Sequence, residues 1–76
     1  MTEDALIARN KELIDGLAGD VISLGPDRRE VGLQSVEQTL LEIVTEYVPD
    51  PGFRERWVRL MTAAVRAAVE HSDDAK

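Results

Sequence analysis

Apolar residues recur along this chain at three- and four-residue spacing in three stretches, and that spacing gathers them on one side of a helix. The first stretch opens after Thr2, where Glu3 and Asp4 suit the positive end of a helix dipole. It carries Leu6, Ile7, Leu13, Ile14, Leu17, Val21 and Leu24 in one wide stripe. Gly16 and Gly19 each weaken a helix by about 1 kcal/mol relative to Ala. The predicted helix therefore covers residues 3–18, with Val21, Ile22 and Leu24 left as packed loop.

Gly25-Pro26-Asp27 stops helical backbone, because proline lacks an amide donor and disfavours helical geometry in the residue before it. A long loop to about Gln34 is the expected result. Ser35-Val36-Glu37-Gln38 then fits a capping box, in which the Ser hydroxyl and the Gln side chain satisfy free amides at a helix start. This predicts a second helix over 35–48. Val36, Leu40, Ile43, Val44, Tyr47 and Val48 lie on its buried side, and Glu37, Glu42 and Glu46 fall largely outside.

Pro49-Asp50-Pro51-Gly52 reads as a stop followed by a start: Asp50 can cap, and Pro51 suits the first helical position. The third helix is predicted over 51–71, with Phe53, Trp57, Leu60, Met61, Ala64, Val65 and Ala68 at helical spacing. Ala63, Ala64, Ala67 and Ala68 admit a close neighbour, and Val58 and Val69 widen the apolar sector beyond what one partner needs. Two readings follow from that width: a central helix in the bundle, or a homodimer contact through Met61, Ala64 and Ala68. The tail 72–76 has nothing to bury and is expected to fray. The expected fold is all-α, a small bundle of three main helices in a single domain, 1–76, with a long loop between the first two.

Composition narrows the function classes. A chain of 76 residues supports one core and excludes a multidomain enzyme. The absence of cysteine removes disulfides, thiolate nucleophiles and Cys-ligated zinc, and fits a reducing, cytoplasmic setting. No apolar run reaches the roughly 18 residues of a membrane span, so no membrane partner is expected. The net charge of −6 repels phosphate backbones, so nucleic acid is not an expected ligand. That charge is uneven: residues 1–50 hold 4 basic and 11 acidic side chains, and residues 51–76 hold 5 and 4. The acidic part would attract a protein partner bearing a basic patch, while Arg54, Arg56, Arg59 and Arg66 are available to pair with it within the chain.

Catalytic constellations are scarce. His71 is the one histidine and sits near the chain end, a poor place for Ser-His-Asp chemistry. Glu42 and Glu46, one turn apart without His or a glycine-rich loop, describe a solvated face better than a cation site, so no metal is expected. Neither phosphate-cradling glycine motif is present. Trp57 lies among arginines, but on the apolar stripe of its helix, which marks it as core and not as a base-stacking residue.

Val21-Ile22-Ser23-Leu24-Gly25-Pro26-Asp27, leading to Gly32-Leu33-Gln34-Ser35-Val36, resembles the attachment region of acyl and peptidyl carrier proteins. Their signature is Gly-Leu-Asp-Ser-Leu; Gln34 stands here in place of Asp and Val36 in place of Leu. The resemblance implies that Ser35, at the start of a helix, carries a 4′-phosphopantetheine arm. It also implies that Glu37, Glu42 and Glu46 form the acidic helix that partner enzymes dock on. Two function classes follow, both non-enzymatic. One is a carrier-like domain modified on Ser35; the other is a small regulatory, inhibitory or assembly subunit, homodimeric through the third helix, with no prosthetic group and with Ser35 as a helix cap.

Overall fold

The computed structural model describes residues 2–74 and is all-α among them, with four helices and no strand. Helix α1 spans Glu3–Arg9, α2 Lys11–Ser23, α3 Arg29–Tyr47 and α4 Pro51–Asp74, with a single 3-10 turn at Pro26–Arg28. Three long helices form the bundle and α1 is a short addition at its edge. The count differs from three because the first predicted helix breaks at Asn10, whose side-chain amide donates to the Leu6 carbonyl at 2.8 Å. Asn10 also begins the next helix, its carbonyl accepting from the Ile14 amide at 2.9 Å as the first bond of α2.

Two boundaries differ from the sequence reading for one physical reason. Helix α2 continues through Gly19 to Ser23, because Val21 is 1% exposed and its burial outweighs the weak helix propensity of two glycines. Helix α3 starts at Arg29, six residues before Ser35, so the long loop is replaced by Leu24, Gly25 and the 3-10 turn. Gly32 and Leu33 are buried in its first turns, and Arg66 on α4 holds Glu30 by paired bonds of 3.1 and 3.4 Å. Ser35 therefore caps nothing; it lies inside α3, whose N-cap position is Arg28.

Tyr47, expected on the buried side of the second helix, is 78% exposed at the end of α3, whereas the capping and turn signals act as read. Thr2 caps α1 by accepting from the Ala5 amide, and Asp50 caps α4 by accepting from Phe53 at 3.2 Å. Gly25 has φ +91°, a left-handed backbone that side chains resist, and it turns the chain between α2 and α3. Helix α4 ends at Asp74 and not 71, so the first part of the expected frayed tail is helical; Ala75 and Lys76 lie outside the described residues.

Helix α4 is central. It packs on both α2 and α3 and supplies Trp57, Val58, Met61, Val65 and Val69 to a core completed by Ile14, Ala18 and Val21 of α2 and Leu33, Val36, Leu40 and Val44 of α3. No polar residue is buried among the described residues, so the core between the helices is apolar, and the Glu30–Arg66 pair links α3 to α4 at its exposed edge. Helices α3 and α4 run antiparallel: Glu30 at the start of one meets Arg66 late in the other, while Leu41 and Val58 line one groove. The molecule measures 38 × 22 × 16 Å, its long axis matching the roughly 36 Å of a 24-residue helix.

Candidate functional site

The residues singled out in the sequence do not converge. Ser35 is exposed on the second turn of α3, at the mouth of a shallow crevice of ≈ 170 Å³ against Leu17, Val21 and Leu24. Its carbonyl accepts from the Thr39 hydroxyl at 2.9 Å, and its own hydroxyl bonds to no described protein group. Glu37, Glu42 and Glu46 are all exposed. At about 100° per residue, however, Glu37 lies about 140° around α3 from Glu42 and about 180° from Glu46. Glu37 faces α4, beside Arg54 and Arg59, whereas Glu42 and Glu46 face away. The three do not form one acidic face.

The residues proposed for a helix interface are occupied by the chain itself. Met61 has no exposed surface, and Ala64 and Ala68 are half-buried against the core. The wide apolar sector of α4 is the sector of a helix packed on two neighbours. Trp57 is buried at 9% exposure, as its place on the stripe implied.

The surface with the most unusual composition is the outer side of α4. Its first ten residues hold three arginines against one glutamate, and its last ten hold three carboxylates against one arginine. The helix dipole acts on the end turns, and at the start of α4 it disfavours Arg54 and favours the Asp50 cap. Arg54 bends back to the Pro49 carbonyl at 2.7 Å, and Arg59 pairs with Glu55 in the same helix at 2.6 Å. Arg56 makes one long bond, 3.4 Å from Nε to the Gly52 carbonyl, and has no carboxylate partner among the described residues.

Two open grooves flank this side. One, of ≈ 620 Å³, runs between α1 and α4 over Leu6, Phe53, Trp57 and Leu60, with Arg56 and Arg59 beside it. The other, of ≈ 590 Å³, runs between α3 and α4 over Leu41 and Val58. Arg59 lines both, so the two form one surface divided by the ridge of α4. Exposed Phe53 and Leu41 put apolar area on either side of that ridge. Sequence reasoning noted these arginines but not the surface, because which of them face outward depends on where α2 and α3 pack. The heptad spacing of Arg56, Ala63 and Glu70 was the available signal.

Electrostatics single out one pair. The Arg66 guanidinium, through its hydrogen bonds and then its charge, lowers the Glu30 carboxyl below its ordinary value, and Glu30 raises Arg66 in return. Both are exposed, so this pair tethers the start of α3 and is not a buried reactive centre. Among the described residues no group of His, Asp or Glu is arranged to hold a metal ion, and no helix is long and apolar enough to cross a membrane.

Comparison with protein-family models, with curated proteins and with solved structures yields no match to this chain.

Proposed function

We propose that the protein is a non-catalytic helical module that works by protein contact, and that it docks through the outer side of α4 and the grooves flanking it. The observation that carries this reading is the conjunction at that surface of exposed apolar side chains, Phe53 and Leu41, with exposed arginines, on a chain whose net charge is −6. Exposed apolar area ringed by charge is how a soluble domain presents a contact surface. The outer sides of α2 and α3 carry Glu12, Asp20, Glu42 and Glu46, all exposed, and keep the rest of the molecule solvated. The test is a photo-crosslinking residue placed at Ala63, on the ridge, and in parallel at Glu46, on the far side of α3. Protein adducts from position 63 and none from 46 support the assignment; adducts from 46 alone refute it.

The carrier-like reading stands second. It is favoured by one observation, the exposed Ser35 hydroxyl with no protein partner beside an apolar crevice, and it ranks lower because Ser35 sits within α3 instead of at a helix start. Incubation with coenzyme A and a broad-specificity phosphopantetheinyl transferase tests it: one phosphopantetheine increment in the intact mass, lost in Ser35→Ala, would move it to first place.

A further inference from the structure

The charge order along α4 points to what occupies its outer side. Arg56, Ala63 and Glu70 stand seven residues apart, so they drift by only about 20° per step and share one line down the helix. All three are exposed, as are Arg59 and Ala67 beside them. Arg56 and Glu70 lie equally far from Ala63, each about 10 Å along the axis. A helix with this arrangement is complementary to itself when reversed.

We infer that the partner of this face is a second copy of the chain, packed with its α4 antiparallel about a two-fold axis near Ala63, so that Arg56 of each copy meets Glu70 of the other. The inference rests on the docking role proposed for α4 and names its occupant. Three observations favour this pairing. First, the arginines gather in the first ten residues of α4 and the carboxylates in its last ten, an order that a reversed copy complements along the whole contact. Second, two chains of net charge −6 repel through the acidic outer sides of α2 and α3, whereas the α4 side carries Arg56, exposed and without a carboxylate partner among the described residues, to offset that repulsion. Third, Ala63 and Ala67 at the centre let the backbones approach closely, while Phe53 and Leu60 in the adjoining groove supply apolar area. A parallel arrangement would set Arg56 against Arg56 and Glu70 against Glu70, so charge selects the antiparallel one. Arg66, already held by Glu30, needs nothing from the partner.

The test is sedimentation equilibrium of the purified chain and its charge variants at concentrations up to about 1 mM, the Kd of a marginal contact. The wild type is expected to show a reversible step from 8.4 kDa to twice that mass. Arg56→Glu and Glu70→Arg each place like charges together twice and should weaken self-association at least tenfold, and circular dichroism controls for helix content because Glu70→Arg also sets a like charge one turn from Arg66. Mixing the two single variants restores complementarity at both contacts and should give a heterodimer, and Arg56→Glu/Glu70→Arg in one chain should recover the homodimer. A chain that stays monomeric throughout, or single variants that associate like the wild type, overturns the inference. Adducts from position 63 of a different mass, with a monomeric chain, would overturn self-pairing and leave the docking role of α4 standing; no adducts from 63 would remove both.

Discussion

Replacing three helical glycines by alanine should change stability with opposite signs, and the structure sets the sizes. At Gly16 and Gly19, inside α2, an added Cβ meets nothing within 4 Å. Each substitution therefore keeps the whole helix-propensity gain, about 1 kcal/mol. At Gly32, inside α3, the same Cβ would stand 2.9 Å from the Leu24 Cδ1 and 3.2 and 3.3 Å from the two Val21 methyls. Leu24 is 47% exposed and can swing aside, but Val21 is 1% exposed and stiff at χ1, so α2 and α3 must separate slightly. Overpacking of this kind costs about 1–3 kcal/mol, which exceeds the propensity gain and leaves a net loss of about 1 kcal/mol. Gly16→Ala and Gly32→Ala should thus differ by about 2 kcal/mol, or roughly 8–16 °C in Tm for a domain of this size. Urea denaturation followed by circular dichroism measures the difference. The reasoning also requires that Gly32→Ala be less harmful in a Val21→Ala background, where the clashing methyls are gone. If Gly32→Ala is as stable as the wild type, or if the penalty is the same in both backgrounds, the close approach of α2 to α3 at this point is wrong.

Three further outcomes follow from single contacts. Thr62→Val should stabilise the fold by about 1 kcal/mol, because the Thr62 hydroxyl is buried without a hydrogen-bond partner; a destabilised variant in thermal unfolding would contradict this. Gly25→Ala forces a side chain into φ +91° and should cost about 1–3 kcal/mol even though there is space for the Cβ, a loss that chemical denaturation will show or fail to show. Glu30 has a carboxyl lowered by Arg66, so its contribution is present above the ordinary value of 4.5 and is lost as pH falls through the lower folded value. Stability profiles should accordingly be flatter on the acid side of 4.5 for Glu30→Gln than for the wild type, and equal slopes would show that the pair is not formed.

Where a helix end depends on its own few residues, the sequence reveals it. Thr2, Asp50 and Pro51 mark their helices because capping is local chemistry, and Gly25-Pro26 marks the turn for the same reason. The errors arise where distant packing overrides local preference. Ser35-Val36-Glu37-Gln38 has the pattern of a helix start, yet the chain before it is already helical because Gly32 and Leu33 are pressed against α2 and Glu30 is held from α4, 36 residues away. The glycines of α2 mislead in the same way. Of the candidate site, the uneven charge of α4 was legible, but its outward direction was not: Met61, Ala64 and Ala68 form as regular a stripe as Arg56, Ala63 and Glu70, and only the placement of α2 and α3 shows which stripe is enclosed.

Helix α1 buries no residue completely and holds to the bundle through Leu6 and Ile7, beyond the break at Asn10. It therefore forms a separate unit of low local stability, whose amides exchange with solvent through its own detachment, while those around Met61, Val65 and Val69 wait for global unfolding. The chain's single tryptophan, Trp57, lines the groove that α1 borders. Its fluorescence consequently registers the departure of α1 before far-ultraviolet dichroism registers loss of the long helices, so the two signals give separate transitions in one titration.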